Sequence, residues 1–322
     1  MDKIIERKAF DSIYGSACTW RISESESPDF ICYAGEIAVL GAEITELFPN
    51  ESAARLKKIP GYLSQLVESK HYRHKKDKYL LKVETLTFQG SDGEKQEFPG
   101  VIQQLPKFEE RTKILLQTIS EKEKKIEQYL LKAKMIDLIL DDCSSLFNNE
   151  DYILFYFTLT SIIDRLSIVN SPFREIFLIT DHQYQKRIKI PLKLNLIAED
   201  FELFTRALTG SPKFNDAKWR NNYFLWLGKC LRDFGYKKIG IVKKTNGAAI
   251  TLGCWEIGMW DNNKKIEGYV TRPDQMPPSE LISDELDSFI EWHDKNVSEF
   301  LEARKKNRCC FPLFFDTNLA FP

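Results

Sequence analysis

The chain has 322 residues, of which 43% are hydrophobic, 12% aromatic and 29% charged. That is enough apolar material for one large domain or two moderate ones, and it excludes a disordered or low-complexity chain. Lysine and arginine total 46 against 47 acids, a formal net charge of -1, so any signal of a nucleic-acid partner must be local. Seven scattered cysteines, odd in number and without Cys-x-x-Cys spacing, fit neither a disulfide framework nor a structural zinc site. They point to reduced thiols in a cytoplasmic protein.

In chain order, Asp2 to Tyr14 sets Ile5, Ala9, Phe10 and Ile13 at helical spacing, closed by Gly15. The same stretch alternates charged with apolar residues and lacks the apolar run of a signal peptide. Cys18 to Ile22 reads as a short strand. Phe30 to Tyr33 and Ile37 to Ile44 are apolar runs joined by Ala34-Gly35-Glu36, which suits a tight hairpin turn. Glu51 to Ser69 is helical, with a break at Pro60-Gly61. Tyr79 to Phe88 alternates as a strand does, and Gly90 to Gly100 reads as loop. A long helix is predicted over Phe108 to Lys134, then a strand over Met135 to Leu140. Asp151 to Leu166 reads as a helix and Glu175 to Thr180 as a strand. The longest apolar stretch, Tyr152 to Ile163, includes Thr158, Thr160 and Ser161 and is too short to span a bilayer, so no membrane partner is expected.

Alternating helices and strands argue for a mixed α/β sheet flanked by helices through residues 1–190. Pro191 to Leu196 marks the candidate boundary, leaving residues 191–322 as a smaller α+β C-terminal region. There a helix is predicted around Ala217 to Phe234. Lys237 to Thr245 and Ala248 to Trp260 flank Asn246-Gly247, a strong hairpin signal. A last helix spans Ser279 to Lys306, before an aromatic tail.

The chemistry concentrates in Ser27-Pro28-Asp29-Phe30 and the run that ends Glu43-Ile44-Thr45. On a hairpin, Asp29 opens one strand and Glu43 sits late in the other, so two carboxylates meet at one end. Glu43 and Thr45 share a face of their strand, with Ile44 on the other. Two hard oxygen donors on a rigid sheet suit Mg²⁺ or Mn²⁺, with waters and a phosphate oxygen completing the shell. Such an ion acidifies water and neutralises phosphoryl charge, as phosphodiester hydrolysis requires.

This arrangement resembles the PD-(D/E)XK nuclease superfamily, whose restriction-endonuclease-like core runs α-β-β-β-α-β with an acid on each of two hairpin strands. The wording SPDF … LGAEITEL is similar to a bacterial group whose motif ends Glu-x-Thr rather than Glu-x-Lys. The resemblance covers about residues 1–190 and implies Asp29 and Glu43 as metal ligands. It departs from the usual pattern at Thr45, where the superfamily carries a lysine that stabilises charge on the attacked phosphate. Two replacements lie on the long helix, where Ile119, Lys122 and Lys125 match an Ile-x-x-Lys-x-x-Lys pattern of similar bacterial proteins. Leu115, Ile119, Ile126, Tyr129 and Ala133 form an apolar stripe there, and Lys122 falls within it, whereas a solvated lysine-rich face is the plainer alternative. Some members of the superfamily add a glutamate from the first helix, which here matches Glu6; an exposed helix glutamate is its alternative.

The stretch His71 to Tyr79 is locally basic, and Arg73, Lys75 and Lys76 are the residues expected to grip nucleic-acid phosphates if it is more than a solvated loop. Asp181-His182 follows a strand end, and His293 lies beside Trp292 with no ligand at helical spacing. Lys213, Lys218, Arg220, Lys237, Lys238, Lys243 and Lys244, interleaved with Trp219, Tyr223, Trp226 and Tyr236, read as a DNA or partner surface or as an ordinary helix packed on a hairpin. No P-loop, Gly-x-Ser-x-Gly elbow or His-Glu-x-x-His helix occurs. The expectation is therefore a Mg²⁺-dependent DNA endonuclease, with RNA the other polymer the chemistry would serve. The resemblance adds a setting in bacterial restriction or anti-phage defence. The alternative is a catalytically inactive module of the same fold that binds nucleic acid, a protein partner or a second copy of itself.

Overall fold

The computed structural model describes residues 2–15, 20–90, 93–144, 146–147, 162–182 and 185–196, and beyond these residues 228, 231, 235–237, 239–244, 247–252, 255–260 and 263–268. The first helical rhythm becomes α1 (Lys3–Tyr14), N-capped by Asp2, whose side chain accepts from the Ile4 amide. Three strands follow: β1 (Arg21–Glu24), β2 (Phe30–Ala34) and β3 (Ile37–Glu46). Ala34 pairs with Ile37 across a two-residue turn, and Gly35 takes φ 63°, the left-handed value that a first-position glycine supplies in a hairpin. Helices α2 (Glu51–Lys58) and α3 (Tyr62–Ser69) flank the break at Pro60-Gly61. The short α4 (Asp77–Leu80) leads into a two-stranded ribbon of β4 (Leu81–Gln89) and β5 (Lys95–Gln103). Then come α5 (Phe108–Glu123), α6 (Ile126–Leu130), β6 (Met135–Asp141), α7 (Ile162–Val169), β7 (Ile176–His182) and β8 (Gln185–Pro191).

The molecule is mixed α/β. Six strands form one mixed sheet in the order β1-β2-β3-β6-β7-β8. The first three are antiparallel, β3, β6 and β7 run parallel, and β8 returns antiparallel at the edge. All seven residues of β6 are buried, as a central strand covered on both faces must be. Helix α1 covers one face. Phe10 stacks on Phe30 with centroids 4.7 Å apart, and Tyr14 meets Phe177 edge-on at 6.4 Å. From the opposite face α5 and α6 bury Leu115, Ile119 and Tyr129 against the same core.

Central strands carry charge into this core, and each charge is partnered. Asp137, fully buried on β6, accepts hydrogen bonds from the Tyr14 hydroxyl, from Arg174 Nε at 2.8 Å and Nη2, and from the Glu175 amide at 3.1 Å. Burial, and then the nearby negative Asp137, push Tyr14 well above the ordinary phenol range. Glu175, also fully buried, accepts from the amides of Lys193 and Leu194, while Lys193 Nζ donates to the carbonyls of Ser171 and Phe173.

Several sequence-based expectations shift. The strand placed at Cys18 to Ile22 begins at Arg21, and residues 16–19 lie outside the described residues. The stretch Gly90 to Gly100, read as loop, contains the first six of the nine residues of β5. Pro99 and Gly100 argue against a central strand, but β5 has one open edge, where a missing donor costs nothing. Gly100 also makes room for Leu86, since a Cβ there would stand 2.5 Å from Leu86 Cδ1. The single helix expected over Phe108 to Lys134 is two, divided at Lys124-Lys125. No glycine or proline marks the division, where the Lys125 amide turns back to the Lys122 carbonyl at 3.0 Å. Strand β8 was not anticipated, although Ile188 and Ile190 alternate with charged residues as a half-buried edge strand does.

Past residue 190, Leu192, Leu194 and Leu196 pack into the same core, as do Leu231 and Tyr236. The Asn246-Gly247 signal lies where β9 (Ile239–Lys244) and β10 (Gly247–Leu252) pair antiparallel, Lys244 opposite Gly247. With β11 (Trp255–Trp260) and β12 (Asn263–Gly268) they form a four-stranded meander. The run Ala248 to Trp260 is thus two strands. The helices expected at Asp151 to Leu166 and Ala217 to Phe234 fall mostly outside the described residues. The helix at Ser279 to Lys306, with His293 and the aromatic tail, lies wholly outside them. No described helix is long and apolar enough to cross a membrane.

Candidate active site

The hairpin register decides where the acids go. Phe30 pairs with Ala42 and Ile31 with Gly41, so Asp29, one residue before β2, lies alongside Glu43. Gly41 lets the preceding loop close down: a Cβ there would stand 2.7 Å from both Pro28 Cγ and Ile136 Cδ1. Asp29 is then pinned to β3, because its Oδ2 accepts from the Ile44 amide at 2.8 Å. Both acids are buried, Asp29 at 8% exposure and Glu43 at 5%.

Two buried carboxylates side by side resist ionising together. Burial first, then the negative charge of Glu43, raise Asp29 to about 6, against the opposing pull of the Ile44 amide. Glu6 adds to the upward push and Lys3 works against it. A divalent cation would relieve this repulsion directly.

Lys122 reaches the pair from α5. Its Nζ donates to Glu43 Oε1 at 2.6 Å, with 20% of its side chain exposed. The apolar stripe carries it inward, and the carboxylate compensates its burial. Lys125, at the division between α5 and α6, is exposed and does not join the site. Thr45 is half-buried on β3, on the Glu43 face by strand alternation.

Glu6 is buried on the first turn of α1, rather than exposed, and Lys3 Nζ stands 2.8 Å from its Oε2. The same ammonium donates to the Ser25 carbonyl at 2.9 Å and stands 3.5 Å from Asp29 Oδ1. Two residues of this neighbourhood escaped the sequence reading. One is Lys3, whose only signal was its i,i+3 spacing to Glu6. The other is Tyr129, which was legible as core but not as a polar neighbour of the acids. Its ring is fully buried, and burial and then the Glu43 charge drive its phenol far above the ordinary range.

Whether these residues fit a divalent metal is tested by Glu43. Its Oε1 is taken by Lys122, while its Oε2 is buried with no well-formed hydrogen bond, the Tyr129 phenol being close enough to interact with the carboxylate. A buried carboxylate oxygen in that condition is costly unless a cation or donor faces it. Among the described residues no three His, Cys, Asp or Glu side chains gather as a ready cage. Mg²⁺ does not require one, since it is commonly held by one or two carboxylates plus waters and substrate phosphate. The two carboxylates of Asp29 and Glu43 meet that minimum.

The basic loop connects α3 to α4. Asp77, fully buried, accepts from Ser52 Oγ at 2.6 Å, from Arg55 Nη2 at 2.6 Å and from the Tyr62 hydroxyl at 2.5 Å. Burial alone would raise this acid, but the donors outweigh it and hold Asp77 at about 2. The clasp leaves Lys75, Lys76 and Lys78 exposed. Arg73 is exposed too but committed locally, donating twice to Gln65 Oε1 at 3.0 and 2.9 Å. The backbone of Asp181 and His182 ends β7, and of the C-terminal basic and aromatic residues Tyr236 is buried in the core. No family model, no curated protein and no solved structure matches this chain.

Proposed function

We propose that this chain is a divalent-metal-dependent nuclease of restriction-endonuclease-like architecture that hydrolyses phosphodiester bonds in DNA. One juxtaposition carries the reading: two buried carboxylates on adjacent strands of a hairpin, with a lysine from a distant helix on one of them. Asp29 and Glu43 would hold Mg²⁺ or Mn²⁺, which supplies Lewis-acid neutralisation of phosphoryl charge and acidifies a water. Lys122 provides the positive charge that Thr45 cannot, beside Glu43 and facing the attacked phosphate. Thr45 offers a hydroxyl on the same strand face to orient a water. The exposed Lys75 and Lys76, with Arg73, draw in the phosphate backbone, so binding weakens steeply with salt.

The second reading, a non-catalytic module of the same architecture, has one observation in its favour. Lys3 and Lys122 already neutralise the two acids, as fixed counter-ions would in a site that no longer takes metal. Cleavage assays on plasmid and single-stranded DNA with Mg²⁺ or Mn²⁺ separate the two. Wild type should cut, and Asp29→Ala or Glu43→Ala should lower the rate by about 100-fold or more. Activity that survives both substitutions removes the assigned site. A folded wild type that neither cuts DNA nor takes up Mn²⁺ favours the binding module.

A further inference from the structure

Lys3 is in an unfavourable place for a helix. A cation in the first turn opposes the helix dipole, where an acid would be preferred. Capping does not need it either, because Asp2 already caps α1 through the Ile4 amide. Its position follows instead from what its ammonium reaches: the Ser25 carbonyl at 2.9 Å, Glu6 Oε2 at 2.8 Å and Asp29 Oδ1 at 3.5 Å. The three contacts are unequal. Glu6 and Ser25 are held at full hydrogen-bond distance, and Asp29 is the loosest.

The two acids are therefore treated differently. Asp29 Oδ2 already accepts from the Ile44 amide, which leaves Oδ1, the oxygen facing Lys3, the less committed of the two. Glu43 Oε1 is committed to Lys122, and its buried Oε2 has no well-formed hydrogen bond. Asp29 and Glu43 would hold the ion, and of the two lysines Lys3 is the one that stands against Asp29. Lys3, with 38% of its side chain exposed against 20% for Lys122, is the less enclosed of the two.

We infer that Lys3 is the resident counter-ion of the acid pair and cedes Asp29 to the incoming divalent metal while remaining anchored on Glu6. The inference rests on the metal-site reading above and adds a competitor to it. Lys3 neutralises Asp29 before metal arrives, which lets two carboxylates be built side by side in a folded, metal-free chain. Glu6 then serves as the lysine's second holder rather than as a third ligand, in keeping with the absence of a three-acid cage among the described residues.

The experiment is a Mn²⁺ titration by calorimetry on wild type, Lys3→Met, Lys3→Gln and Lys3→Arg, with a melting curve of each metal-free chain. Removing the competitor should tighten Mn²⁺ binding about two- to fivefold in both neutral variants, the range a partly exposed ion pair supports. Their metal-free melting temperatures should fall, and Lys3→Arg should stay near wild type in both measurements. Unchanged or weaker Mn²⁺ binding in folded Lys3→Met and Lys3→Gln overturns the inference while leaving the metal site standing. No Mn²⁺ uptake by wild type overturns the metal site itself, and the inference with it.

Discussion

At the scale of single residues, Asp29 is where burial, charge and hydrogen bonding compete most openly. Its carboxyl is raised to about 6 in the folded chain from an ordinary value of 3.8. Between those two values the folded state binds more protons than the unfolded one, so this group's contribution to stability falls as pH rises from about 4 to 6. Above 6 the full penalty of an ionised, buried Asp29 is present. Metal-free Asp29→Asn should therefore gain over wild type across that window, reaching about 1–2 kcal/mol at pH 7 once solvent screening is allowed for. Urea midpoints of the two proteins from pH 4 to pH 8 measure the difference, in which titrating groups remote from Asp29 cancel. Mn²⁺ affinity of wild type should move oppositely, improving as pH rises through 6, because the ligand must first lose its proton.

Among the elements, the α2–α4 segment is held by a polar clasp more than by its own small apolar cluster of Tyr62, Leu66 and Leu81. Two helices converge on Asp77 of α4, α2 through Ser52 and Arg55 and α3 through Tyr62. Asp77→Ala strands those donors and should cost about 2–4 kcal/mol locally. Hydrogen exchange should show α2 and α3 opening while β3, β6 and β7 stay protected. DNA affinity should fall as well, because the loop that presents Lys75 and Lys76 loses its anchor. The sign with pH is opposite to that of Asp29. Asp77 is depressed to about 2, so its stabilisation is complete above its unfolded value of 3.8 and is lost as pH falls toward 2. The ribbon that follows, with Phe88 at 59% and Phe98 at 49% exposure, is held to the rest mainly at its base, where Val83 and Val101 pack on the same cluster.

For the molecule as a whole, the buried Asp137 ties α1, β6 and the entry to β7 together through Tyr14, Arg174 and the Glu175 amide. Arg174→Met leaves a buried carboxylate without its counter-ion and should cost about 3–5 kcal/mol in urea unfolding. Asp137→Asn added to Arg174→Met should recover part of that loss, since the amide carries no charge to strand. If the double variant is as unstable as the sum of the singles, the pair is not coupled. Periodicity in the sequence determined several local elements where a stretch packs by its own repeating face. The helical stripe of α1, the hairpin of β2 and β3 around Gly35, and the largely apolar run of β6 are of that kind. The same logic placed Asp29 beside Glu43, because a hairpin's register is set by the residues within it. What the tertiary structure alone decided are partnerships across long stretches of chain. Lys122 meets Glu43 from 79 residues away and Tyr14 meets Asp137 from 123. Lys3, one turn from Glu6, finds Asp29 only once α1 docks. A lysine in a charged helix reads the same whether it faces water or a carboxylate. Only packing removes the water, and with it the ambiguity.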